Sequence, residues 1–136
     1  MIPEGAPVYK AETSGLIVRV VVSYVPQQST PPHQFVWAYM VEVENTSDIA
    51  VQLVSRHWII TDANGHIEEV EGPGVIGDQP VIPPGEVYNY TSGCPLPTSS
   101  GSMVGTYRMV PERGDAFDAA IPAFSLDLPG QRRTVN

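Results

Sequence analysis

Gly72-Pro73-Gly74-Val75-Ile76-Gly77 runs directly into Asp78-Gln79-Pro80-Val81-Ile82-Pro83-Pro84-Gly85, and the way these residues are read decides the fold class. Gly72, Gly74 and Gly77 have the spacing of a dinucleotide-binding fingerprint. That fingerprint works only where a strand precedes the glycines and a helix opens on them, because the helix N-terminus supplies the amide donors and the positive dipole end. Here three prolines, Pro80, Pro83 and Pro84, fall within five residues. Proline lacks the backbone N–H and pushes the preceding residue out of the α region, so no helix starts there. The segment is a turn, and the chain around it is β.

Outward from this loop, period-2 alternation and turn signals set out about eight strands. They are expected over Pro7–Thr13, Leu16–Val25, Gln34–Asn45, Val51–Thr61, Ile67–Glu71, Glu86–Ser92, Ser102–Pro111 and Ala123–Leu128. In the third, Phe35, Trp37, Tyr39, Val41 and Val43 share one face. Asp62-Ala63-Asn64-Gly65 closes a hairpin, since Asn and Gly both tolerate positive φ. Pro26 to His33 is a proline-rich loop, and Pro129 to Asn136 is a polar tail expected to fray. Short strands with turns about every ten residues predict an all-β, antiparallel β-sandwich in one domain over residues 1–136, with a core at about 7–128.

Bulk properties narrow the function classes. The chain has 136 residues and 42% hydrophobic content, enough for a core without a metal or disulfide. Its net charge of −8, with one lysine (Lys10), excludes a phosphate-neutralising nucleic-acid surface. No apolar run is long enough to span a bilayer, and Met1 to Gly5 has no basic and apolar leader. Cys94 is the single cysteine, so no internal disulfide forms and a cytoplasmic location is expected.

Several motifs together resemble the bacterial ApaG family: Ser55-Arg56-His57-Trp58-Ile59-Ile60-Thr61-Asp62, then Glu69-Val70-Glu71 leading into Gly72 to Pro80. Pro84-Gly85-Glu86, Tyr90-Thr91-Ser92-Gly93, Gly101-Ser102-Met103-Val104-Gly105-Tyr107 and Ile121-Pro122-Ala123-Phe124 extend the resemblance from about Tyr9 to Leu128. It implies a fibronectin type III-like or immunoglobulin-like sandwich and a loose association with magnesium and cobalt homeostasis. Related domains occur in F-box proteins and in a DNA-polymerase-interacting protein, where they look like protein-recognition units. A sandwich does not by itself specify a function.

The candidate site is the loop Gly72, Gly74, Val75, Ile76 and Gly77 with Arg56 as counter-charge. The amides of Gly74 to Gly77 can form an anion nest without a helix. The plainer expectation is a tight turn in which glycine supplies φ > 0, because Glu69, Glu71 and Asp78 repel anions. Arg56 and Trp58 are placed on one face of a strand and His57 on the other. Arg56 is expected to pair with Glu68 or Glu69 across the hairpin, and Trp58 to fill the core. His57 is expected to be a hydrogen-bonded structural residue.

No metal centre is expected, because His33, His57, His66, Cys94, Glu68, Glu69 and Glu71 show no metal-ligand spacing. No catalytic residues are expected either, since Ser92 and Cys94 have no local histidine. Tyr88 and Tyr90 share a face that would make a sticky patch if exposed. These readings converge on a cofactor-free, non-enzymatic module for a protein partner, with no nucleic acid and no membrane. A phosphate or diphosphate sensor, with or without a divalent cation, is the alternative. An exposed edge strand also leaves room for a homodimer.

Overall fold

The computed structural model describes residues 7–129; most of the polar tail, with Arg132 and Arg133, lies outside them. The strands are β1 (Tyr9–Thr13), β2 (Leu16–Tyr24), β3 (Phe35–Asn45), β4 (Val51–Asp62), β5 (Ile67–Pro73), β6 (Val81–Ile82), β7 (Val87–Leu96), β8 (Gly101–Pro111) and β9 (Phe117–Leu126). One sheet has the order β1-β2-β3-β7 and the other β5-β4-β8-β9, with β6 also paired to β4. Every strand pair is antiparallel. The expected β-sandwich is the fold observed.

The inward alternation of each strand builds the core. Trp37, Tyr39, Val41 and Val43 of β3 are buried against Trp58, Tyr107, Met109, Ile121 and Phe124 of the facing sheet. Trp58 is the centre of an aromatic cluster, with ring centroids 5.3 Å from Tyr39, 5.9 Å from Phe124 and 6.4 Å from Tyr107. Edge-on pairs of this kind add roughly 0.5–1.5 kcal/mol each beyond their buried area. The Trp37 indole N–H donates to the Asp127 carbonyl at 2.8 Å, which satisfies the ring's polar atom inside the core.

The largest differences from the expected strands lie in β7, β9 and β6. β7 runs on to Leu96, because Ser92, Cys94 and Leu96 continue the inward-facing set, and Pro95 is tolerated on a strand at a sheet edge. β9 begins at Phe117 rather than Ala123, and Pro122 sits where the β8–β9 register slips between Met103 and Gly105. That is the place where a missing ladder donor does least harm. β6 was not expected at all; two residues between prolines give no periodicity to read. The Asp62–Gly65 turn holds positive φ only at Gly65 (82°), and the Gly65 amide donates to Asp62 O at 3.1 Å.

Candidate functional site

The site grows from a bulge in β4. Register slips between Leu53 and Ser55, so Val54 is the extra residue. The bulge changes the inward parity, from Val51 and Leu53 before it to Arg56 and Trp58 after it. It also leaves the Val54 carbonyl facing the sheet edge. The Gly74 amide donates to that carbonyl at 2.9 Å and the Gln79 side-chain amide at 2.8 Å. The glycine loop is thus tied to the edge of β4 between β5 and β6.

Within the loop, Val75 and Asp78 exchange both backbone bonds, at 2.8 and 2.9 Å, around Ile76 (φ 43°) and Gly77 (φ 80°). Positive φ at both central residues is the pattern of a type I′ hairpin turn. Val75 is buried beneath it, while Ile76 at the tip is 62% exposed. Gly74 has no alternative: its φ is 61°, and a Cβ there would lie 2.1 Å from the Asp78 carbonyl oxygen. The expectation that no helix follows the glycines holds, because the chain turns back on itself.

Arg56 reaches this loop but not as expected. Its Nη1 donates to the Pro73 carbonyl at 3.1 Å and the Gly74 carbonyl at 3.0 Å. Among the described residues it has no ion pair with Glu68 or Glu69. The register explains this: Gly72 lies opposite Arg56, and Glu68 lies opposite Ile60. Four residues along a strand is roughly 13 Å, beyond salt-bridge reach. A glycine opposite leaves room for the guanidinium, which a Cβ at Gly72 would meet at 3.0 Å. His57, on the outer face, takes the carboxylates instead: its Nε2 is 2.8 Å from Glu69 Oε1 and 3.5 Å from Glu71 Oε1.

The other candidates are scattered. His33 lies in the proline-rich loop and His66 in the β4–β5 hairpin, while Cys94 is buried between the sheets. No group of three or more His, Cys, Asp and Glu among the described residues is arranged to hold a metal ion. Tyr90 is buried and Tyr88 half-buried, so the tyrosine face is not an exposed patch. The Tyr88 hydroxyl donates to Asp78 Oδ2 at 3.3 Å, which links β7 to the loop. The Tyr90 and Tyr107 hydroxyls bond to each other inside the core. Sequence reading missed that pair, since nothing local joins residues on opposite sheets.

Burial, more than the nearby Glu68 charge, pushes the Cys94 thiol up to about 11, so it is held as an unreactive thiol. Desolvation also raises Tyr90 and Tyr107 well above the usual tyrosine range. Each of these groups binds its proton more tightly folded than unfolded. Their contribution is complete below the unfolded values, about 9 for the thiol and 10 for the phenols, and is lost as pH rises. Urea unfolding between pH 8 and 11 is expected to show a fall of roughly 2–3 kcal/mol from Cys94 alone. Cys94→Ala should flatten the part of that decline that begins near pH 9.

A family model of the ApaG domain matches residues 26–111. The chain belongs to the ApaG domain family. Protein ApaG of Beijerinckia indica subsp. indica is 55% identical over 129 residues, spanning 94% of this chain and 99% of that protein. Protein ApaG of Mesorhizobium japonicum is 57% identical over the same shares. A solved ApaA protein from Bordetella pertussis superposes with a TM-score of 0.82 at 50% identity, over 85% of this chain and 95% of its own. The C-terminal domain of wzt shares the fold alone, with a TM-score of 0.53 at 12% identity. None of these names states an enzymatic activity. No helix among the described residues of this ApaG-family chain is long and apolar enough to cross a membrane.

Proposed function

We propose that this ApaG-family chain is a non-enzymatic binding module that engages a partner protein through the hairpin tip at Ile76. The observation that carries the reading is a β-branched residue held at φ 43° and left 62% exposed. A left-handed Ile costs about 1–3 kcal/mol and recovers little of it through burial when most of its surface faces solvent. A turn selected for folding alone would carry Asn or Gly there. The Arg56 guanidinium donates to the Gly74 carbonyl, and the Gly74 amide and Gln79 side chain donate to the Val54 carbonyl, which fixes the loop and leaves little ordering entropy to be lost on binding. A rigid, exposed apolar side chain on a polar rim is what an interface anchor requires. In this reading the family's association with magnesium and cobalt homeostasis acts through the partner.

Capture from a native lysate tests this. A partner retained by the natural chain and lost with Ile76→Asn supports the module, and retention unchanged by Ile76→Asn contradicts it. The phosphate-sensor reading draws on the amides of Ile76 and Gly77, which donate to no described residue. The Gly74 and Val75 amides are already committed within the protein, and Arg56 is turned to carbonyls. Pyrophosphate titration with magnesium, followed by amide NMR, separates the two. The sensor requires shifts at Gly74 to Gly77, and the protein-binding module predicts none.

A further inference from the structure

Along one flank the two sheets meet, and the Ala120 amide donates to Thr13 Oγ1 at 3.1 Å between β9 and β1. Along the other flank, where β5 and β7 are the edge strands, they part. The gap is a cleft of about 260 Å³. Buried Tyr39, Trp58 and Met103 form its base, and Ile60, Val70 and Cys94 its walls. Arg56 also lines it.

The guanidinium is half-buried, and among the described residues no carboxylate lies within the 4.0 Å that defines an ion pair. Both of its hydrogen bonds leave from Nη1 toward neutral carbonyls, out of five N–H donors that a guanidinium carries. A half-buried charge bonded only to neutral carbonyls has given up part of its hydration without gaining a counter-ion, so donors are left for an anion. Beside it the cleft offers the partly exposed apolar side chains of Ile60 and Val70 over a closed aromatic base. We propose that the inter-sheet cleft binds a small monocarboxylate with a compact aromatic or branched aliphatic body. The carboxylate takes the remaining Arg56 donors in a forked pair, and the body lies between Ile60 and Val70, above the Trp58 ring that closes the base.

Size and charge narrow the ligand further. The volume lies below the roughly 300–1,000 Å³ of sites for drug-sized molecules, so the body is a single ring or a short branched chain. Glu68 also lines the cleft. It is exposed, so water screens it against a single negative charge, but it disfavours a dianion such as phosphate. The proposal stands apart from the partner surface, since Ile76 does not line the cleft.

Benzoate is the probe and benzamide its uncharged isostere, each titrated into the full chain and followed by amide and indole NMR. Saturable shifts at the Trp58 indole and at the Ser92, Gly93 and Cys94 amides are expected with benzoate. Benzamide should bind about tenfold more weakly, the equivalent of about 1.4 kcal/mol. Arg56→Gln should remove the difference between the two. Because that change also loosens the loop, Ile60→Trp serves as a second variant. It fills the cleft with Arg56 in place and should abolish the shifts in a chain whose other resonances show it folded. No benzoate shift at these positions, equal binding of benzamide, or binding that survives Ile60→Trp would each overturn the proposal.

Discussion

Replacing Gly105 with alanine is expected to lower stability by about 3 kcal/mol, the upper end of what overpacking costs. Gly105 faces Trp58 across the β4–β8 pair, the central ladder of its sheet. A Cβ there would lie 2.1 Å from the His57 carbonyl oxygen and 3.1 Å from the His57 carbonyl carbon. Both atoms are backbone, so no rotamer change relieves the clash and the strands themselves must separate. Separation would disturb Trp58 and the aromatic cluster packed on it. For a domain of this size the loss corresponds to roughly 10 °C in melting temperature, readable by calorimetry. Gly93→Ala is the control. Its nearest non-neighbour atom is the Trp37 carbonyl oxygen at 3.6 Å, ordinary van der Waals distance, and the change should be close to neutral.

Asn45→Ala is expected to cost a similar amount, about 3 kcal/mol, by a different route. Asn45 is the buried polar side chain among the described residues, at 0% exposure. Its Nδ2 donates to the carbonyls of Ile49 and Ile82 at 2.8 and 2.9 Å. Its Oδ1 accepts from the Ser47 amide at 3.0 Å and the Ser47 hydroxyl at 2.6 Å. One side chain therefore holds the β3–β4 connection and docks β6. Alanine removes all four bonds, each worth roughly 0.5–1.5 kcal/mol net, and unties the β3–β4 connection from β6. Denaturant unfolding should show the midpoint fall. Asn45→Asp keeps the acceptor but buries a carboxylate oxygen against the Ile49 and Ile82 carbonyls, so it should be at least as destabilising as alanine.

The sandwich was legible because alternation in β2, β3 and β8 marks buried faces and proline excludes a helix after Gly77. The family was legible in the ordered motifs from Ser55 to Phe124. What the sequence left hidden depends on register. The Val54 bulge has no local signal, yet it sets the inward face of Arg56 and exposes the carbonyl that anchors the loop. Arg56 was expected on a carboxylate because Glu68 and Glu69 are near in sequence. The ladder places Gly72 opposite it and gives Glu69 to His57. Ile76 was visible only as one residue of a glycine motif. What sets it apart is a positive backbone angle that no composition or spacing reveals.

Under the proposed function, the loop carries Ile76 for recognition rather than for folding. The melting temperature of Ile76→Asn tests it in one measurement. Asn accepts left-handed backbone readily and gives the Asn-Gly pair that a type I′ turn favours. The variant should therefore be more stable than the natural chain by about 1 kcal/mol, several degrees in melting temperature. A variant that melts lower would show that the isoleucine side chain holds the fold together, and the claim would fail.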